Sequence, residues 1–495
     1  MTNDTFEKLP FAFPNVEISS YKVTRARAEF LAAFTPVSYD CCIKSCCCYV
    51  GPHTQATHCP YCKEPRHNTQ GRPRKQFTYV PLIPRLKGYY QNAQLVQQLR
   101  YRHGFVSDPN IIQDVYDGKH YKRLRTEQVV IDGQERRYKF FTDSHDIALG
   151  LSTDGFAPFR RRKKTCWPLL IYNYNLPPEI RFHYEHILCI GVIPGKPKDF
   201  DSFFWPAMEE LIKLAMGVGA FDITEQERFV LRAFLILVFG DIPAISMVMK
   251  VKGHNGLSPC RMCKIRGLRV PNTRATTHYV PLERSRHPDV RHSPLAIKKY
   301  DSNNLPLRTH AEMMDEAYTV QFAASNVDFE RLAKEFGIKG VSILSQLSSI
   351  SYPFSFPYDF MHLIFENVIK NLILLWTGDF KGLDEGSECY ELPKKVWEAI
   401  GADTAASGST IPYAFGARPP NVADDKTAAT AETWSFWMQY IGPVLLVRKF
   451  EKAIYYDHFV NLVKLIRICL EFEMTRDELA KLRTGFAEWV EKYEQ

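Results

Sequence analysis

Between residues 147 and 250 the apolar positions change their period in a definite order. Residues 147–154 (IALGLSTD), 167–174 (WPLLIYNY) and 186–193 (HILCIGVI) are short runs with apolar residues on both sides, bounded by Gly, Pro or an acid. Runs of this length predict strands buried in a sheet. From Asp201 to Met216 the period lengthens, and Phe204, Met208, Leu211, Ile212 and Ala215 fall on one helical face. Phe229 to Asp241 is a fourth apolar run ending on an acid, and Pro243 to Lys250 has helical spacing. Further on, residues 359–376 (DFMHLIFENVIKNLILLW) predict a helix with Met361, Ile364, Phe365, Val368, Leu372 and Leu375 on its apolar face. Residues 401–432, rich in Ala, Thr, Gly, Pro and Asp, read as a loop. Residues 434–495 read as helical, with Phe459, Leu462, Val463, Ile466 and Leu470 in one stripe.

Three strands, a helix, a strand and a helix is the order of an α/β ribonuclease-H-like mixed sheet, in which the first and fourth strands are neighbours. Asp154 and Asp241 close those two strands and would converge. Paired carboxylates repel each other, and a divalent cation between them offsets that repulsion. For either acid alone a turn-capping role is the simpler reading. The helix at 359–376 offers a third carboxylate: Glu366 lies four residues after His362, on the same face. Between Asp241 and Glu366 lie 124 residues, which predicts a large insertion in the sheet fold.

Composition adds one feature that the periodicity does not carry. Seven of the 13 cysteines fall between Cys41 and Cys62, in YDCCIKSCCCYVG and CPYCKEPRH. The chain opens MTNDTFEKLPFAF, without the basic and apolar regions of a secretion signal, so a reduced metal site is expected rather than a disulfide scaffold. Cys59 and Cys62 form a knuckle for one tetrahedral ion. Cys42 and Cys46 give the best-spaced partner pair, leaving Cys41, Cys47 and Cys48 as competitors. The result is a zinc-ribbon-like segment holding a structural Zn²⁺ through four thiolates. A second CxxC, Cys260 and Cys263, sits in the insertion with His278, His287 and His292 after it, and is a candidate second zinc knuckle.

The net charge of +8 is mild, but its distribution is not. From Lys63 to Arg125 there are 13 Lys or Arg against four acids, and Arg160, Arg161, Arg162, Lys163 and Lys164 follow as a run. This front-loading predicts a polyanion partner. Arg72, Arg74 and Lys75 belong to a GRPRK segment similar to a minor-groove hook. The most apolar long stretch, Phe229 to Met249, is broken by Arg232, Asp241 and Pro243, so no membrane helix is expected.

In these stretches the chain resembles the transposases of CACTA (En/Spm-like) DNA transposons, closest to their fungal Plavaka-type relatives. The resemblance runs in order through the two cysteine segments, FTYVPLIPRLKGYY, LGLSTDGFAPF, YNLPPEIR, VIPGKPKDFDSF, LRAFLILVFGDIPA, GHNGLSPCRMCKIRG, YDFMHLIFENVIKNL and WSFWMQYIGPVLL, over roughly residues 39–490. It implies a nuclear DDE/D-type enzyme that cleaves transposon DNA ends and joins them to target DNA by two-metal phosphoryl transfer. Mg²⁺ (or Mn²⁺) would be held by Asp154, Asp241 and Glu366, with Asp359 of the D-x2-H motif as the competing third acid. The basic residues named above would contact double-stranded DNA, and the protein would act as a homo-oligomer on paired ends.

The expected organisation follows. Residues 1–38 are an N-terminal segment, 39–67 the zinc-ribbon-like motif and 68–145 a basic, DNA-contacting region. Residues 146–251 are the first part of the sheet core, 252–350 the insertion with its CxxC, 351–380 the helix with the third acid, and 381–495 a loop and helical C-terminal region. Relatives of this kind commonly run past the point where this chain stops. The alternative expectation is therefore a catalytically inactive, transposon-derived, zinc-containing DNA-binding protein.

Overall fold

In the computed structural model the structure describes residues 3–32, 34–158, 165–271, 274, 276–380, 389–412, 415–416, 418–424 and 429–495. They divide into two compact units. The first comprises Met1–Phe105, Arg123–Val238 and Ile343–Ile350; the second comprises Val106–Lys122, Phe239–Ser342 and Ser351–Gln495.

The first unit is built on a six-stranded mixed sheet. In chain order its elements are β1 (Val37–Asp40), β2 (Gln76–Tyr79), the hairpin β3 (Gln128–Ile131) and β4 (Gln134–Lys139), β5 (Ile147–Thr153), β6 (Trp167–Asn173) and β7 (Leu188–Ile193). Then come α1 (Phe200–Met216), the hairpin β8 (Val218–Asp222) and β9 (Glu227–Leu231), and β10 (Ala233–Phe239). The sheet runs β1-β2-β7-β6-β5-β10. Neighbours from β1 to β5 are antiparallel, with Leu151 opposite Ile171 and Leu169 opposite Gly191. The Ile147 N–H donates to the Arg232 carbonyl at 2.8 Å, so β5 and β10 start side by side and run the same way. Both are covered on two faces: Ile147, Ala148, Leu149 and Leu151, like Phe234, Leu235, Ile236 and Val238, are buried. That two-sided burial is why these strands read as unbroken apolar runs.

Helix α1 follows β7. Its N-cap Asp199 accepts from the Ser202 N–H at 3.3 Å, and it buries Phe203, Phe204, Met208 and Leu211. Phe203 meets Phe77 of β2 edge-on, ring centres 5.4 Å apart. The fourth apolar run is not one strand. It breaks at Arg232, whose guanidinium sits 4.1 Å over the Tyr138 ring. Residues before the break pair with β8, for example Phe229 with Ala220, and only those after it enter the main sheet. Apolarity alone does not see the change of partner.

The second unit is largely helical. It contains α2 (Ile242–Val248), α3 (His310–Gln321), α4 (Asn326–Phe336), a π-helical stretch Met361–Val368 continuing directly into α5 (Ile369–Trp376), α6 (Lys394–Ser407), α7 (Ala453–Cys469) and α8 (Arg476–Tyr493). Trp376, Trp397, Trp434, Trp437 and Phe459 fill its largest core, where Trp437 Nε1–H donates to Thr404 Oγ1 at 3.1 Å. The loop expected from residue 401 therefore starts later. Ala402, Ala405 and Ala406 are strong helix formers, and Trp397 and Ile400 bury one face of α6.

Candidate functional site

The cysteine segment is bracketed by β1 and β2, so the edge of the sheet holds both of its ends. Two turns present the thiols. In the first, the Ser45 N–H donates to the Cys42 carbonyl at 2.7 Å and the Cys42 N–H to the Cys47 carbonyl at 2.9 Å. In the second, the Lys63 N–H donates to the Cys59 carbonyl at 2.9 Å and the Cys59 N–H to the Glu64 carbonyl at 2.8 Å. Ser45 and Lys63 both take left-handed backbone, the tight reversal each knuckle needs.

The sulfurs of Cys42, Cys46, Cys59 and Cys62 all lie within 4.8 Å of one another, with Cys42 and Cys62 at 3.4 Å. Four thiolates about 2.3 Å from one zinc ion sit about 3.8 Å apart, so this cluster is compatible with a zinc site. Burial acts against ionisation of Cys59. The N–H groups of Cys62 and Tyr61 and the thiols of Cys42 and Cys62 outweigh it, bringing Cys59 down to about 7. The Lys44 N–H points at Cys42 Sγ at 3.4 Å. Of the other cysteines of the segment, Cys41 and Cys48 stand outside the group of four and Cys47 adjoins it. Burial pushes Cys41 up to about 12 and raises Cys47 and Cys48 as well. Cys48 Sγ–H turns to the Asp40 carbonyl, while Cys47 backs onto Cys59 at 3.9 Å.

The cluster is tied to the start of α1. The Lys198 and Asp199 N–H groups donate to the Cys46 carbonyl at 3.0 and 2.9 Å, and the Cys48 N–H donates to Ser202 Oγ at 3.0 Å. His53 Nε2 contacts Asp199 Oδ2 at 2.8 Å. Gly51 has a left-handed φ of +52°, and a Cβ there would stand 2.6 Å from the Trp205 ring. Gly51→Ala is therefore expected to destabilise the first unit by about 2–4 kcal/mol, combining backbone strain with overpacking. Urea unfolding followed by tryptophan fluorescence measures the loss.

Among the described residues, Asp154, Asp241 and Glu366 or Asp359 do not form a group with ligand atoms all within 4.8 Å of one another. Asp154 directly follows β5, and its Oδ1 accepts from the Gly155 N–H at 2.6 Å. The lack of a side chain on Gly155 lets Trp167 approach: a Cβ there would be 2.4 Å from the indole. Asp241 caps α2, its Oδ1 accepting from the Ala244 N–H at 2.5 Å. Asp359 accepts from the His362 N–H at 3.2 Å and contacts His362 Nδ1 at 2.9 Å. Glu366 is ion-paired with Lys370 on the next turn. Asp154 belongs to the first unit; Asp241, Asp359 and Glu366 belong to the second.

Of the basic residues expected to meet DNA, Arg160, Arg161, Arg162, Lys163 and Lys164 lie outside the described residues. Arg72 is exposed on the turn at Gly71. Arg74 is paired with Glu64 at 2.8 Å, and Lys75 Nζ donates to Ser45 Oγ and the Pro194 carbonyl, both at 2.7 Å. These last two brace the cysteine segment.

At the second CxxC, Cys260 Sγ lies 3.5 Å from the Tyr358 hydroxyl, and the Met262 N–H points at it at 3.3 Å. The neighbouring Cys263 thiol, against the cost of burial, brings Cys260 down to about 5. Among the described residues no third His, Cys, Asp or Glu joins the pair as a ligand. His278 is turned instead to the His254 carbonyl and Arg269. A different group does come together: His145, Asp222 and Glu225 have ligand atoms within 4.8 Å of one another. His145 lies 77 residues from Asp222, so no spacing signal marked the group. Asp222 is committed to the N–H groups of Thr224 and Glu225, and Glu225 to Arg100.

Residues 127–310 match the family model described as "Transposase family tnp2". The match takes in Asp154, Asp241 and the second CxxC, so this part of the chain is similar to that transposase family. No curated protein matches the chain. No described helix is long and apolar enough to cross a membrane.

Proposed function

We propose that the chain is a DDE/D-type transposase on a ribonuclease-H-like core, cleaving transposon DNA ends and joining them to target DNA in the nucleus. The observation that carries this reading is topological. Strands β7-β6-β5-β10 form an antiparallel meander with a parallel fourth neighbour, and α1 lies between β7 and β10 in sequence. Parallel neighbours end at the same edge of a sheet. Asp154 follows β5 at once and Asp241 follows β10 by two residues, both inside the segment similar to the transposase family.

Asp154 and Asp241, with Glu366 or Asp359 as third acid, would hold Mg²⁺ or Mn²⁺; their hard carboxylate oxygens suit either ion. When bound, such ions lower the pKa of an attacking water and stabilise the leaving oxygen of an in-line displacement. The chain's own part is to hold the carboxylates: the Gly155 N–H fixes one oxygen of Asp154, and the start of α2 fixes one of Asp241. Cys42, Cys46, Cys59 and Cys62 would hold a structural zinc that keeps the sheet edge folded.

The test is cleavage of a duplex carrying the element's terminal repeat by purified, zinc-loaded protein. Nicks at the element boundary are expected with Mg²⁺ or Mn²⁺ and none with EDTA or Ca²⁺. Glu366→Gln and Asp359→Asn then separate the two candidates, since the true third acid loses at least a hundredfold in rate. Binding without cleavage under every metal condition would instead identify a silent DNA-binding descendant.

A further inference from the structure

The insertion contains a cavity of about 590 Å³ that no step above uses. Its size falls within the ~300–1,000 Å³ range of small-ligand clefts. Its lining is rich in cations, Arg266, Arg269, Arg284 and Lys334, against one acid among the described residues, Asp289. Leu257, Leu268, Val290, Leu295 and Ile297 supply apolar lining, and Tyr300 an aromatic ring.

The positive charge is poorly compensated from within. Among the described residues, Arg266 alone of the four has a carboxylate partner of its own, Glu335 at 2.6 Å. Arg284 is buried, yet its guanidinium donates to the carbonyls of Pro281 and Arg266 and stacks 4.7 Å over the Tyr300 ring. None of those partners is an acid; burial lowers its pKa, and Tyr300 and then Glu494 ease its charge through space. Arg269 Nε–H donates to His278 Nε2 at 3.2 Å, while His278 Nδ1–H faces the His254 carbonyl at 3.2 Å. His278 is therefore held as a neutral ring. Burial lowers its pKa first, and Arg269, Lys334 and Arg266 lower it further, so the ring senses a positive field.

A lining that combines four cations with apolar side chains and an aromatic ring suits an anion joined to a flat, apolar body. We infer that this cavity binds a nucleoside monophosphate unit, its phosphate on Arg269, Lys334 and Arg266 and its base against Tyr300 and the apolar side chains. The unit comes either from a single DNA strand or from free nucleotide. The inference rests on the proposed transposase activity only for the first of these sources.

The experiment uses the full zinc-loaded chain, wild type and the double variant Arg269→Gln, Lys334→Gln, matched for zinc content and melting temperature. Three probes are titrated at low salt: deoxyadenosine monophosphate, a labelled single-stranded octanucleotide and inorganic phosphate. Histidine-selective NMR follows the His278 ring. The mononucleotide is expected to move the His278 resonances and to bind at least tenfold more weakly to the variant. An octanucleotide that binds tighter than the mononucleotide, and is weakened in parallel, identifies a strand as the source; equal affinities identify free nucleotide. If the octanucleotide binds both proteins alike and no probe moves His278, the cavity assignment is overturned while the DNA reading stands. If inorganic phosphate binds as tightly as the mononucleotide, the base site is overturned. If the mononucleotide binds as expected but the cleavage assay fails, the cavity stands and the transposase reading falls.

Discussion

Stripping metal from the protein is expected to unfold the sheet edge, not only the cysteine loop. The four thiols of the cluster sit between β1 and β2, which form one side of the six-stranded sheet. The Cys46 carbonyl and the Cys48 N–H also hold the start of α1, through Lys198, Asp199 and Ser202. Without an ion, three or four buried thiols would be left facing one another with only weak S–H contacts. Structural zinc supplies about 10–16 kcal/mol in small zinc-finger peptides. If only about 5 kcal/mol of that stabilises this unit, the melting temperature should fall by about 10–20 °C, at 2–4 °C per kcal/mol. Cys59→Ser should reproduce the fall and release one zinc per chain, measured by elemental analysis and scanning calorimetry. Cys41→Ser and Cys48→Ser should keep the zinc, because neither thiol belongs to the group of four. A protein that keeps its melting temperature after demonstrated loss of zinc would show that the cluster is a packed set of free thiols.

The four-cysteine cluster was legible in the sequence because its signal is local: two knuckles 12 residues apart made Cys42, Cys46, Cys59 and Cys62 the best-spaced set, with Cys41, Cys47 and Cys48 as competitors. Its attachment was not legible. Expected as a separate motif at 39–67, the segment is an insertion between two strands of the main sheet. Nothing in the four-residue runs VSYD and QFTY announces that they pair with each other and then with β7. Strand β5 was readable because burial on both faces leaves an unbroken apolar run, and β6 and β7 carry similar runs although alternate positions are half-buried or, at Val192, exposed. The Phe229–Asp241 run misled because a hairpin arm and a sheet strand look alike when both are apolar and only Arg232 marks the switch. The basic stretch gave the opposite lesson. Charge counting treats Arg72, Arg74 and Lys75 as equivalent, whereas the fold uses Arg74 and Lys75 as internal braces and leaves Arg72 exposed. The cationic cavity could not be anticipated either, because its walls come from residues 257 to 334 with no shared spacing.

Asp154→Asn and Asp241→Asn are expected to abolish metal-dependent DNA cleavage while leaving the fold intact. Both acids have a structural job that needs no metal: Asp154 holds its own turn and Asp241 caps α2. An alanine at either position would confuse that job with catalysis, since losing an N-cap costs about 0.5–2 kcal/mol by itself. Asparagine separates them. Its carbonyl oxygen accepts the same N–H, and Asn is as good an N-cap as Asp. What it removes is the negative charge that a hard divalent cation requires. If the acids are only caps, both variants should melt within about 2 °C of wild type and cleave at the wild-type rate. If they are metal ligands, melting should again be unchanged while the cleavage rate falls by about a thousandfold or more, equivalent to about 4 kcal/mol of lost transition-state stabilisation. Single-turnover cleavage in Mg²⁺ and Mn²⁺, read beside calorimetry on the same preparations, decides between the two. Partial rescue of either variant by Mn²⁺ over Mg²⁺ would add that the altered side chain lies against the ion, since Mn²⁺ binds nitrogen and neutral oxygen donors more readily.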